Sequence, residues 1–214
     1  FNLYKKKVAP ETRMAVMVKA FSYGSGLAEV ASILQYNGVD YLMVAYTDEG
    51  VELRSKGITV PIAVMNPERE SFDQMIEFAL EPEIYSMELL DTFERYLVSN
   101  GIREYPIHLK LNTGMNRSGL NKNEIPKLLD FFKFQRSSKI VSLFSHLATA
   151  DDPAQDGFTL EQISLFEECA EMIVPKFDHK ILRHILNSAG IERFPQFCFD
   201  MVRLGIGLYG VGGD

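Results

Sequence analysis

Residues 14–24 read MAVMVKAFSYG: an apolar run of five residues, then a lysine, and within the next five positions a phenylalanine, a tyrosine and a glycine. Met14 to Val18 contain no polar side chain, which is the pattern of a strand buried on both faces, and strands of that kind belong to parallel sheets covered by helices. Lys19 sits at the C-terminal end of this run. It is either a charge reaching from a strand end to water or a reactive amine, and the rest of the chain decides between the two.

Outward from residue 14 the pattern repeats. Short apolar runs rich in β-branched residues occur at 14–18, 41–45, 62–64, 83–85, 107–111, 140–145, 181–186 and 201–206. Helical patterns fall between them, at 27–37, 48–56, 68–80, 87–99, 124–135, 159–174 and 188–193. The segment TLEQ gives Thr159 and Gln162 the spacing of a capping box, which predicts a helix start at 159. Strands alternating with helices at intervals of roughly 20 to 40 residues form parallel βαβ units. Eight of them predict the α/β class and a (β/α)8 TIM-like barrel occupying residues 1–214 as one domain. A doubly wound open sheet is the alternative.

Composition narrows the function. The chain has 214 residues, 46% of them apolar, enough for a full-sized core. The net charge is −7, and the one basic cluster, Lys5 to Lys7, is too short for a nucleic-acid footprint, so no nucleic-acid partner is expected. Cys169 and Cys198 lack Cys or His neighbours at metal-ligand spacing and read as buried thiols in a reducing compartment. No apolar stretch approaches the roughly 18 to 20 residues of a membrane span, and no apolar signal region opens the chain. The expectation is a soluble, cytoplasmic protein with no metal and no membrane partner. A start at Phe1 and an end at YGVGGD lead us to expect a piece of a longer protein.

Barrels place their chemistry at the C-terminal ends of the strands, and polar residues gather at those ends here. The first run ends in Lys19 and Tyr23; the fifth leads into KLNTGMNRSG with Lys110, Asn112 and Arg117; the sixth ends in SHLATAD with His146. The seventh ends in HILNSAG with His184, Asn187 and Ser188, and the eighth carries Arg203 within MVRLGIGLYG. Singly, each has an ordinary reading: a snorkelling lysine, a hydrogen-bonded core histidine, a helix cap. His108 and His179, with no polar cluster around them in sequence, keep it. The joint placement of the others argues for a site.

The loops after the seventh and eighth strands commonly hold a phosphate in such barrels, and NSAG and RLGIG occupy them. Ser188 adds a hydroxyl, and Gly205 lets the backbone of Ile206 approach an oxyanion. No Walker A or GxGxxG element points to a nucleotide. A phosphate site together with a strand-end lysine suits pyridoxal 5′-phosphate, whose aldehyde needs an amine and whose ring nitrogen needs a partner.

The segments VKAFSYGSG, HLKLNTGMNRSGL, SHLATAD, ILNSAG and VRLGIGLYG, in that order from residue 18 to 210, resemble the cofactor-binding motifs of the alanine racemase family. The resemblance implies a fold-type III barrel that binds pyridoxal 5′-phosphate and interconverts L- and D-alanine, supplying D-alanine for peptidoglycan. It makes Lys19 the covalent attachment point and an acid/base. Tyr23, Ser188, Gly205 and Ile206 become phosphate ligands, with Asn187 beside them. Arg203 faces the pyridine nitrogen, Arg117 the phenolic oxygen and substrate carboxylate, and His146 the ring. Lys110, often a carbamate in the family, braces Arg117, and His184 orients Arg203. An arginine at the ring nitrogen, unlike a carboxylate, does not hold a proton there, which weakens the electron sink and favours racemisation over transamination.

Phe21, Ser25, Asn112 and Asn116 depart from the commonest family form, and KAFSYGSG resembles a subgroup fused behind a muramyl-peptide ligase. The family is homodimeric, and a tyrosine from a C-terminal β-domain of the partner serves the second face of Cα. With that domain absent from these 214 residues, and Tyr23 and Tyr209 no obvious substitutes, poor racemisation by the isolated chain is expected. The competing readings are a non-catalytic vitamin B6-binding barrel and a silent scaffold barrel.

Overall fold

The computed structural model describes residues 1–135 and 137–211. The strands are β1 (Arg13–Met17), β2 (Tyr41–Val44), β3 (Ile62–Val64), β4 (Leu80–Ile84), β5 (Tyr105–Lys110), β6 (Ser138–Phe144), β7 (Leu182–His184) and β8 (Met201–Leu204). The helices are α1 (Asn2–Lys5), α2 (Lys19–Gly24), α3 (Leu27–Tyr36), α4 (Thr47–Ser55), α5 (Phe72–Glu77), α6 (Met87–Ser99), α7 (Ile125–Phe134), α8 (Asp156–Ile173) and α9 (Ser188–Arg193). The expected one-domain extent reaches 214; positions 136 and 212–214 lie outside the described residues.

The strands are parallel in the order β7-β6-β5-β4-β3-β2-β1-β8. Each strand from β1 to β6 neighbours its successor in the chain, and the last strand lies beside the first, with Ala15 opposite Arg203. A doubly wound sheet reverses its strand order at a switch point; an order that runs on until the eighth strand meets the first is that of a (β/α)8 barrel.

The chain forms two compact units, Phe1–Pro82 with the segment from Leu186 onward, and Glu83–Ile185. In the first, Ala15, Val16, Leu42, Val44, Ile62 and Val64 are fully enclosed, the burial that an unbroken apolar strand predicts. Arg54 crosses beneath this unit, its guanidinium donating to the carbonyls of Ile58, Val60, Phe78 and Ala79. In the second, α6 buries Leu89, Leu90, Phe93 and Leu97 along one face, and the Ser86 side chain caps it by accepting the Leu89 N–H at 3.2 Å.

Most expected elements appear within a few residues of their predicted limits. β4 begins ahead of Pro82, a residue that reads against a strand interior. The capping box at Thr159 and Gln162 is corrected by the structure: α8 starts at Asp156, so both residues lie inside it, fully buried. Gln162 accepts the Ala148 N–H at 2.9 Å and donates to the His146 carbonyl at 3.1 Å, and Thr159 pairs with Thr149. The motif's polar atoms fasten the loop after β6, and that demand outweighs capping. Cys169 and Cys198 are free and buried, and burial pushes the Cys169 thiol up to about 11. No helix among the described residues is long and apolar enough to cross a membrane.

One buried carboxylate organises the start of β6. Glu94 on α6 accepts the N–H of Ser137 at 2.7 Å, the N–H of Ser138 at 2.9 Å and the Ser138 hydroxyl at 2.6 Å. Glu94→Gln keeps the shape but turns an NH2 group toward these donors. Urea unfolding of the variant is expected to show a loss of about 1–3 kcal/mol.

Candidate functional site

In the first unit β1 ends at Met17, and the ladder gives out one residue later, where Val18 N–H still reaches the Met43 carbonyl. The chain then makes a left-handed turn. Ala20, Phe21, Ser22 and Tyr23 all have φ between 52° and 56°. For L-residues this conformation costs roughly 1–2 kcal/mol each, and it is held by local bonds: Ser22 N–H to Val18 O, Ser25 N–H to Ser22 O and Gly26 N–H to Phe21 O. Glu49 on α4 accepts the Ala20 N–H at 2.7 Å with one oxygen and the Ala45 N–H at 2.6 Å with the other. The turn buries Ser22 and leaves Phe21 and Tyr23 substantially exposed, with Lys19 at its start. Four consecutive strained residues beside a candidate catalytic lysine match the tendency of strain to collect at functional sites.

Across the β1–β8 pair lies a small polar cradle. Ser188 Oγ accepts the N–H groups of Gly205 and Gly207 at 3.0 and 3.1 Å, which leaves its own proton to donate. A Cβ built on Gly205 would lie 3.7 Å from each of Tyr23 Oη, Ser188 Oγ and Met17 Cγ, so both hydroxyls converge on this backbone. Gly207 admits no side chain at all, since a Cβ there would collide with the Tyr4 hydroxyl. Burial raises the Tyr23 phenol, keeping it a neutral donor. Tyr209 packs against Tyr23 in a tilted arrangement, ring centres 4.8 Å apart, and donates to the Met17 carbonyl, so its hydroxyl is engaged with the end of β1. Asn187 spends its side chain on the Gly190 N–H at 2.9 Å, capping α9. Ile206 is about half exposed, and Arg203 is buried on β8 with its N–H bonded to the Leu186 carbonyl.

The second unit holds Lys110, Arg117, His146 and His184. Lys110 is buried, and its Nζ donates to Glu83 Oε1 at 2.9 Å, an ammonium–carboxylate pair; a carbamate at Nζ would bring a second anion against Glu83. Arg117 is exposed in a loop tied by Asn112, whose Oδ1 accepts the N–H groups of Gly114 and Asn116 and whose Nδ2 donates to Asn116 and Asn121. Asn116 is left-handed at φ 56°, which asparagine tolerates better than most residues. Gly119 has no room for a side chain against the backbone of Leu111 and Asn112. His184 is buried, within 3.1 Å of Ser142 Oγ and stacked on Phe144. His146 is partly exposed, with its carbonyl held by Gln162.

Comparison with known proteins is decisive. The family described as "Alanine racemase, N-terminal domain" matches residues 1–212. The chain belongs to this family. Alanine racemases of Synechocystis sp. and Treponema denticola are 34% and 32% identical to it, over 97% and 96% of this chain and 56% and 55% of their own lengths. The alanine racemase of Clostridium difficile 630 superposes with a TM-score of 0.91 at 30% identity, covering 100% of this chain and 56% of that one. The Bartonella henselae alanine racemase, whose structure has covalently bound pyridoxal phosphate, gives 0.85 at 26% identity, covering 98% and 57%. The chain thus spans about half the length of the racemases it matches.

Against this family background, the two motif departures Asn112 and Asn116 are accounted for by their bonds to one another. Three side chains escaped sequence reasoning. Glu83 carries no spacing signal, because its partner Lys110 lies on another strand, and the spacing of Glu49 from Tyr46 announces a helix cap but not its bond to Ala20. Tyr4 lies in a segment with no expected element; its hydroxyl donates to Glu192 on α9 at 2.8 Å and sits under Gly207. Glu192 is lowered by that hydrogen bond and by Lys7.

Two predictions follow from the local chemistry. Phe21→Gly removes strain while sacrificing little burial, so denaturant unfolding is expected to show equal or greater stability, by up to about 1 kcal/mol. Phe21→Val, β-branched at positive φ, is expected to lose about 1–2 kcal/mol. Burial and the Glu192 carboxylate push the Tyr4 phenol up to about 12. A raised folded value means the proton is held more tightly in the native state, so this stabilisation is complete below about pH 10 and disappears as pH climbs toward 12. Tyr4→Phe is expected to flatten that decline in melting temperature.

Proposed function

We propose that this chain is the cofactor-binding barrel, residues 1–214 as one domain, of a pyridoxal 5′-phosphate-dependent alanine racemase. The observation that carries the reading is the cradle of Ser188, Gly205, Gly207 and Tyr23 beside the strand-end turn that bears Lys19. Neutral hydroxyl donors converging on glycine backbone suit a phosphate. The cofactor, when bound, supplies an aldehyde for an amine and a conjugated ring that acidifies the Cα–H of an attached amino acid.

Lys19 provides that amine and, when released, moves the proton at Cα on one face. Tyr23, Ser188, Gly205 and Ile206 bind the phosphate, and Asn187 fixes α9 so that Ser188 stays in place. Arg203 faces the ring nitrogen and, as a permanent hydrogen-bond donor that keeps its own protons, leaves that nitrogen unprotonated. Arg117 is assigned to the substrate carboxylate and the phenolic oxygen, His146 to the ring, Lys110 to the support of Arg117, and His184 to the orientation of Arg203. The substrate is alanine, the product D-alanine for peptidoglycan, and the working protein a cytoplasmic homodimer without nucleic-acid or membrane partners.

Borohydride reduction in the presence of pyridoxal 5′-phosphate, followed by peptide mass spectrometry, is expected to place the label on Lys19, and Lys19→Ala is expected to lose it with the fold intact by circular dichroism. A label on another lysine overturns the assignment. Incubation with L-alanine in deuterium oxide tests the chemistry in the full-length protein: deuterium at Cα supports a racemase, and binding without exchange supports a non-catalytic barrel.

A further inference from the structure

We propose that Glu49 is a positioning residue for Lys19, fixing the direction in which the amine leaves β1. The inference rests on the reading of Lys19 as the cofactor lysine. Glu49 stands in the first turn of α4, and its two oxygens are divided between the ends of two adjacent strands. Oε1 accepts the N–H of Ala20, the residue directly after Lys19 and the first of the left-handed turn, at 2.7 Å. Oε2 accepts the N–H of Ala45 at 2.6 Å and that of Tyr46 at 3.3 Å, just past the end of β2. Ala45 is fixed in turn, since its carbonyl accepts both the backbone and the side-chain N–H of Asn66.

The arrangement does more than cap a helix. A capping carboxylate needs only the N–H groups at its own helix start, here Tyr46, whereas Glu49 reaches across to the β1 loop. The Ala20 N–H lies beyond the β1–β2 ladder, whose last bond there is Val18 to Met43, and Glu49 takes it up. The left-handed turn is therefore closed by its own bonds, Ser22 to Val18 among them, while its first amide, Ala20, is held by this carboxylate. Only an acceptor at both oxygens can do this: the amide of glutamine must turn its NH2 toward one donor group, and aspartate is one methylene short.

The test compares the wild-type chain with Glu49→Gln. Because glutamine retains one acceptor oxygen and the Ala45 and Tyr46 side offers two donors, the variant is expected to keep that side and release Ala20. Hydrogen exchange at the Ala20 amide should accelerate at least about tenfold while Ala45 stays protected; unchanged exchange at Ala20 overturns the proposal. Titration with pyridoxal 5′-phosphate, read by borohydride trapping on Lys19, should require about tenfold more reagent for half-labelling, while the inhibition constant of inorganic phosphate as a competitor keeps its wild-type value. Equal weakening of labelling and phosphate competition would show a general structural role and overturn the proposal. Absence of a Lys19 adduct in wild type would instead sink the underlying functional reading, whatever the exchange at Ala20 reports.

Discussion

The site depends on the parallel pairing of β8 with β1. That pairing sets Ala15 opposite Arg203 and Val16 opposite Leu204, so the chain leaves both strands at the same edge of the sheet. From one exit comes the turn with Lys19 and Tyr23, and from the other the Gly205–Gly207 backbone. Residues almost 190 positions apart in sequence become neighbours because burial of most of both short strands specifies their hydrogen-bond register. Leu186 adds a third contribution: its carbonyl accepts the Arg203 N–H, which brings Asn187 and Ser188 to the same edge.

At that edge the chain accepts strain in return for direction. A right-handed turn after β1 would carry Lys19 and Tyr23 along another course; the left-handed one puts the Tyr23 hydroxyl near Gly205 and buries Ser22. Four unfavourable backbone conformations in a row persist only where surrounding bonds over-determine them. Here the turn's own N–H···O=C bonds, the Tyr209 hydroxyl on Met17 and the Glu49 carboxylate supply that constraint. Beneath the opposite loop, Tyr4 fills the space that a side chain on Gly207 would need, and its bond to Glu192 connects α1 with α9.

The second unit follows a different economy, one of buried polar groups satisfied in pairs. Lys110 with Glu83, His108 and His184 with Ser142, Thr113 with Ser145, and Glu94 with the start of β6 all lie in the interior. Removing one partner from such a pair strands the other in a low-dielectric setting, which makes these residues hard to substitute singly. His108, which reads as an ordinary core histidine in sequence, has that place in the structure, with Nδ1 2.7 Å from Ser142 Oγ.

The amino-acid sequence by itself determined the α/β class, the eight strands and the chemical character of their ends, because burial on both faces leaves an apolar run that periodicity can read. NSAG and RLGIG were also legible as loops with small residues and polar groups, since they carry their chemistry locally. The start of α8 was not legible: Thr159 and Gln162 have a cap's spacing, yet their side chains are needed by Ala148, His146 and Thr149. Nor was the left-handed turn, because KAFSY contains no glycine to announce positive φ, and part of what holds it comes from Glu49 and Tyr209, 29 and more positions away. The choice of barrel over open sheet likewise belonged to tertiary structure. Both have the same alternation of elements, and only the hydrogen bonds joining the eighth strand to the first distinguish them.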